Sequence, residues 1–146
     1  LVNEKGTSAK LEVNYPDSSA GKYVGLYGFE DLFDSISNPE SIEQISINNK
    51  SNDKIALVIP RTISRFKNVT ALQLTNIVKS LPEEVGELSD LQFLMLPNNP
   101  DLKTLPSSLG NLENLTFINL EGTNAKLPES ISSRANSDDG KFYWIE

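Results

Sequence analysis

The stretch "LPSSLGNLENLTFINLEGT" at residues 105–123 places leucine or isoleucine, proline and glycine at regular intervals. An aliphatic residue followed by proline occurs four times, at Ile59-Pro60, Leu81-Pro82, Leu105-Pro106 and Leu127-Pro128. These dipeptides are separated by 22, 24 and 22 residues. A fixed period of this length is the signature of a repeat architecture, in which each unit buries its apolar face against its neighbours.

A second apolar pattern lies between the dipeptides. Its copies are Ile42-x-x-Ile45-x-Ile47, Val69-x-x-Leu72-x-Leu74, Leu91-x-x-Leu94-x-Leu96 and Leu115-x-x-Ile118-x-Leu120. The alternation at the end of each copy predicts a short strand with one buried face. A fainter copy of the proline half begins at Leu32, 27 residues before Ile59, and this longer spacing predicts an insertion near residues 48–54.

The combined pattern, LxxLxLxxN followed by LxxLPxxLGxL, resembles the leucine-rich repeat family. The 22–24-residue units are most similar to the plant intracellular Ras-group and bacterial repeats. The resemblance implies an α/β repeat solenoid, a curved array with parallel strands on its concave face and irregular, 3-10 or short helical segments on its convex face. We expect an N-terminal cap at 1–31, about four repeats at 32–131, and a C-terminal cap or final strand at 132–146.

Some positions depart from the family pattern, and the two ends lack it. Only Asn99 stands where the family has a turn-capping asparagine, while the other copies have Lys50, Ile77 and Thr123. Alternation in "AKLEVNYP" (9–16) and "GKYVGLYG" (21–28) predicts a hairpin or two irregular strands, followed by a short helix near residues 29–36. The segment "KFYWIE" (141–146) predicts one more strand.

The composition disfavours most kinds of catalytic site. Cysteine and histidine are both absent, which removes the commonest zinc ligands and the Ser/His and Cys/His catalytic pairs. Acidic residues outnumber basic ones by 20 to 13, so a nucleic-acid partner is not expected. The longest apolar run, "IALVI" (55–59), is too short to insert into a membrane. We therefore expect a protein that is not an enzyme and that has no cofactor and no metal.

Recognition is expected on the strand residues that the repeat pattern leaves variable. In the repeat frame these residues point to the concave face and include amides, hydroxyls and aromatic rings. Such side chains favour protein binding because aromatic residues bury much area for little ordering entropy. The candidate partner-binding residues are Gln44, Ser46, Thr70, Gln73, Gln92, Phe93, Met95, Thr116, Phe117, Asn119, Glu121 and, if "KFYWIE" continues in phase, Trp144.

Several of these motifs also have a purely structural interpretation. Phe93 and Phe117 could stack along the sheet as cross-strand neighbours. The asparagines that follow the strands favour turns. Glycosylation sequons occur at Asn49, Asn68 and Asn114, and the last two share one repeat phase whose consensus produces the motif, which favours coincidence over glycosylation. The segment "NSDDG" (136–140) lacks the downstream glutamate of a calcium loop and predicts a solvated turn.

The resemblance implies a protein–protein interaction module. The alternative is a structural or adhesive component of a bacterial or viral surface, with glycan binding as a variant and self-association through the terminal caps. The lack of cysteine disfavours the disulfide-capped extracellular members of the family, which favours the cytoplasm first and a surface location next. Because the chain starts without methionine or an apolar signal region, we expect a processed form or part of a longer protein.

Overall fold

The computed structural model describes residues 2–3, 9–15, 32–135 and 142–146. Its largest element is a seven-stranded sheet made of β1 (Val2–Asn3), β2 (Ala9–Tyr15), β3 (Ile42–Asn49), β5 (Ala71–Thr75), β7 (Phe93–Met95), β8 (Phe117–Asn119) and β9 (Tyr143–Ile145). The strands follow one another in that order, with β1 antiparallel to β2 and every later pair parallel. Two further strands, β4 (Leu57–Val58) and β6 (Val78–Ser80), form a separate parallel pair.

A short helix follows each strand of the repeats. The 3-10 helices Arg61–Arg65, Glu83–Glu87 and Ser107–Asn111 come after β3, β5 and β7, and the α-helix Glu129–Ala135 takes this place after β8. A further 3-10 helix, Pro39–Ser41, ends directly before β3. Proline starts these turns because its ring fixes φ in the range that the turn needs. Its carbonyl then accepts the amide three residues on, as in Ile63 to Pro60 at 3.1 Å and Ile131 to Pro128 at 2.9 Å. The predicted repeat solenoid is confirmed.

The core consists of the repeating aliphatic residues. Leu72, Leu94 and Ile118 occupy equivalent positions in three successive strands and are fully buried. Burial of such a side chain contributes about 1.5–3 kcal/mol. Since one repeat cannot cover these side chains alone, the stacking of repeats supplies the core that each unit lacks.

The turns after β5, β7 and β8 each use a left-handed residue, in line with the structural interpretation of the asparagine positions, whereas the equivalent Asn49 is the last residue of strand β3. Asn76 and Asn98 have φ of 57° and 61°, and Gly122 has φ of 76°. Asparagine and glycine are the residues that adopt this conformation at least cost. These positions therefore shape the turn.

Asn99 supplies the expected cap of the turns. Its buried Oδ1 accepts the amides of Ile77 and Val78 at 2.8 and 2.9 Å. Its Nδ2 donates to the carbonyls of Leu74 and Leu96 at 2.8 and 2.9 Å. One side chain thus satisfies the backbone of its own repeat and of the preceding one.

The ends match the sequence in part. The strand predicted at 9–16 is present as β2, but it joins β3 in parallel and so extends the repeat sheet. The predicted partner at 21–28 and the turn at 136–140 lie outside the described residues. Residues 32–34 are helical, within the predicted helix, and β9 is the predicted final strand. Within the described ranges, no helix has the length and apolar character to cross a membrane.

Candidate functional site

The sheet register aligns the variable strand residues into two rows that run across the strands. The first row is Gln44, Ala71, Phe93, Phe117 and Tyr143, and the second is Ser46, Gln73, Met95, Asn119 and Ile145. Their neighbours along each strand face the core, so the rows lie on the opposite face of the sheet. We call this face, which carries both rows, the concave face.

The placement of Trp144 in the first row is wrong by one residue. Tyr143 pairs with Phe117, while Trp144 pairs with the core residue Ile118. The cause is Phe142, which is buried beneath the guanidinium of Arg134 at 5.7 Å and stacks on Trp144 with ring centroids 6.3 Å apart. Because side chains alternate along a strand, Phe142 and Trp144 share the core side. Tyr143 therefore lies on the concave face.

The N-terminal part of the concave face is polar, and its side chains bond to one another. The Nε2 atom of Gln73 donates to Asn48 Oδ1 at 3.2 Å and to Thr75 Oγ1 at 3.3 Å. The Nδ2 atom of Asn48 donates to Ser46 Oγ at 3.0 Å and to Asn14 Oδ1 at 3.3 Å. We call these five residues the amide network. It joins strands β2, β3 and β5 through side chains as well as through the backbone.

The C-terminal part of the concave face is mainly apolar, with Asn119 as the polar residue between Met95 and Ile145. Phe93, Tyr143 and Ile145 are 41%, 62% and 44% exposed, and Met95 and Phe117 are half-buried. We call these five residues the apolar strip. Among the described residues the paired rings are Phe33–Phe66 and Phe142–Trp144, so the rings of the strip do not stack on one another. The cross-strand stacking interpretation of the two phenylalanines is therefore wrong.

The remaining candidate residues border these two regions. The hydroxyls of Thr70 and Thr116 each donate to the carbonyl of the neighbouring strand at 3.2 Å, to Glu43 and Gln92 respectively. Their hydroxyl groups are thus engaged within the sheet. Glu121 is exposed beside the strip, and its backbone amide donates to Asn119 Oδ1 at 2.9 Å. The Gln92 side chain is exposed at the start of β7.

The three sequon asparagines have structural partners. Asn49 is 5% exposed, and its Nδ2 donates to the carbonyl of Asp53 at 2.8 Å. Asn68 and Asn114 donate to carbonyls of the preceding repeat, at 2.7 and 2.9 Å. In each case the nitrogen that would carry a glycan makes a hydrogen bond within the fold. These contacts support the structural interpretation of the three motifs.

One carboxylate has a clearly altered pKa. Hydrogen bonds from Ser108, first from its hydroxyl and then from its backbone amide, lower the pKa of Glu83. The amide of Ser108 lies 3.0 Å from Glu83 Oε2. Both residues belong to adjacent 3-10 helices, so this carboxylate links two repeats. Within the described ranges, no group of three or more Asp, Glu, His or Cys residues could hold a metal ion.

Comparison with solved structures identifies the architecture. A leucine-rich repeat protein of Leptospira interrogans, LIC12759, matches 73% of this chain at 30% identity with a TM-score of 0.57. The chain belongs to the leucine-rich repeat family. It spans only 26% of the Leptospira protein.

A second leucine-rich repeat structure shares the fold. The leucine-rich repeat domain of the type III effector XopL matches 99% of this chain at 15% identity, with a TM-score of 0.51. The match covers 52% of that chain. No family model and no curated protein match the sequence.

Proposed function

We propose that this leucine-rich repeat protein is a non-enzymatic interaction module that binds another protein through the apolar strip of its concave face. The observation that carries the proposal is the grouping of five apolar side chains on the C-terminal part of a face whose N-terminal part is occupied by the amide network. Repeat solenoids present extended, rigid surfaces of this kind. Exposed aromatic and methionine side chains on such a surface are typical of binding sites.

The amide network limits where contact is expected. The amides of Asn48 and Gln73 already have partners on the same face, and displacing those bonds would offset the gain from new ones. Binding over the apolar strip does not require hydrogen bonds to be displaced, and covering its rings removes apolar surface from water. Gln44, Ser46 and Gln73 are therefore proposed to border the interface, with its centre at Phe93 and Phe117.

Alanine substitution in the strip tests the proposal. A triple variant with Phe93→Ala, Met95→Ala and Phe117→Ala removes three side chains that point away from the core. We expect loss of partner binding by about tenfold or more, since central aromatic contacts typically contribute 1–2 kcal/mol or more each. Binding is measured with proteins captured from cell extract on the immobilised chain, and folding by circular dichroism.

The matched control is Val58→Ala. Val58 is also an exposed apolar residue, but it lies on β4, outside the concave sheet. This variant should retain every captured protein. Capture that survives unchanged in the folded triple variant would refute the concave-face assignment.

Assembly into a larger structure is the second candidate function. The observation in its favour is the exposure of three consecutive large apolar residues, Tyr143, Trp144 and Ile145, on β9. Exposed apolar strands recruit neighbouring chains. Sedimentation of the isolated chain over micromolar concentrations tests this candidate, and a monomer throughout the range counts against it.

A further inference from the structure

We infer that the partner segment seated on the apolar strip is an amphipathic helix with a basic polar face. This inference rests on the proposed function and adds the chemistry of the partner. Three properties of the strip lead to it: the state of the backbone beneath it, the spacing of its side chains, and the charge around it.

The backbone beneath the strip disfavours an extended partner. Strands β7 and β8, which carry Phe93, Met95 and Phe117, are hydrogen-bonded to neighbours on both sides, so the concave face there offers side chains and no free ladder groups. Among the described strands, β9 ends the sheet and keeps one open edge, which lies at the side of the strip and not beneath its centre. An extended segment lying across these rings would leave its own amides and carbonyls without partners in an apolar contact. A helix pairs these groups internally and can bring an apolar stripe to the surface.

The spacing of the side chains fits a helix that crosses the strands. Phe93, Phe117 and Tyr143 are register neighbours on successive strands, which lie about 4.7–4.9 Å apart. Successive turns of a helix are about 5.4 Å apart, so consecutive turns can follow the three rings. Side chains on one face of an extended chain recur only about every 6.6–6.8 Å and fall out of step with this row.

The charges around the strip are negative. The charged residues that flank β7, β8 and β9 in the sequence within the described ranges are Asp90, Glu113, Glu121 and Glu146, all exposed. The cation of Arg134 is also near β9, but it contacts Phe142 on the core side of that strand. None of the four forms an ion pair within the described part of the chain. Lys141, which precedes β9 in the sequence, lies outside that part. Unpaired carboxylates at the rim of an interface attract basic partners and repel acidic ones.

Designed peptides of one apolar pattern test the inference directly. Three 18-residue amphipathic helices carry the same leucine stripe, and their polar faces consist of lysine, glutamine or glutamate. Calorimetric titration at low and high salt gives their affinities. We expect the lysine peptide to bind about tenfold or more tightly than the glutamate peptide at low salt, with the glutamine peptide between them. A lysine peptide with two central prolines, which cannot form the helix, should lose binding.

Protein variants separate the strip from general charge attraction. The double variant Phe93→Ala with Phe117→Ala should lose binding of the lysine peptide about tenfold. Glu121→Gln should weaken that binding several-fold at low salt and have little effect at high salt. The matched control is Glu87→Gln, because Glu87 is an exposed carboxylate on the 3-10 helix Glu83–Glu87 and not on the concave face.

The outcomes distinguish this inference from the proposed function. Equal binding of the three helices, with loss in the phenylalanine variant, would overturn the basic partner and leave the concave-face site standing. Binding of the proline peptide as tightly as its helical parent would overturn the helix. Lysine-peptide binding that is unchanged in the phenylalanine variant, or no binding of any helix, would overturn the inference as a whole. In the last case, capture of a protein by the wild-type chain but not by the triple alanine variant would still support the proposed function.

Discussion

At the scale of single residues, the Asn99 side chain forms more hydrogen bonds to backbone groups than any other side chain of the described residues. Its replacement by alanine leaves the buried amides of Ile77 and Val78 without an acceptor. An unsatisfied buried group typically costs 1–3 kcal/mol, so we expect Asn99→Ala to lower the free energy of unfolding by about 2–4 kcal/mol. Urea denaturation measures this loss. Asn111→Ala, at an exposed position, should change stability by less than about 0.5 kcal/mol, and equal losses in the two variants would contradict the capping role.

Glu83 gives a pH-dependent prediction at the same scale. Its folded pKa is lowered from the ordinary value of 4.5 by the bonds from Ser108. The stabilising contribution is therefore present above pH 4.5 and is lost as the pH falls through the lowered folded pKa. Glu83→Gln should lose less stability than the wild type between neutral and acidic pH, measured by urea denaturation at each pH. The control Glu87→Gln should show the same dependence of stability on pH as the wild type. If Glu83→Gln also showed it, the stabilising role of the Glu83–Ser108 hydrogen bond would be contradicted.

At the scale of elements, the 3-10 helices Glu83–Glu87 and Ser107–Asn111 approach so closely that Gly86 has no room for a side chain. A Cβ added to Gly86 would lie 2.4 Å from the Cβ of Ser108. We expect Gly86→Ala to destabilise the protein by about 1–3 kcal/mol, as overpacking typically does. Ser64 occupies the same repeat position and already carries a Cβ, so Ser64→Ala is the matched control. Thermal unfolding followed by circular dichroism compares the two, and a neutral Gly86→Ala would show that the helices can separate without cost.

The sequence predicts the position of some strands and fails to predict the register of one. Periodicity located β5, β7 and β8, because each has a complete copy of the apolar pattern. It misplaced the register of β9, because "KFYWIE" (141–146) has no such copy. Phe142, Tyr143 and Trp144 are consecutive aromatic residues, so the sequence alone does not decide which of them face the core. The burial of Phe142 under Arg134 selects the phase that exposes Tyr143. That contact joins residues brought together only by the fold, so no local signal reveals it.

At the scale of the whole molecule, the repeat pattern determines the solenoid, and the residues outside the pattern determine its surface. The sequence predicted which strand positions face away from the core. The sequence already placed the aromatic residues of this face toward its C-terminal side, but it did not predict the amide network, because that network depends on which side chains bond across strands. The pairing of Gln73 with Asn48, for example, requires the register of β3 and β5. The binding surface that we propose is therefore the C-terminal half of the predicted face.

Site-specific photo-crosslinking tests the central claim most directly. A photoreactive phenylalanine analogue is placed in turn at Phe93, Phe117 and Tyr143 in the apolar strip, at Gln44 in the polar part of the same row, and at Val58 outside the sheet. We predict crosslinks to the same partner protein from the three strip positions, far fewer from Gln44 at the border of the interface, and none from Val58. Crosslinks from Gln44 or Val58, with none from the strip, would contradict the account.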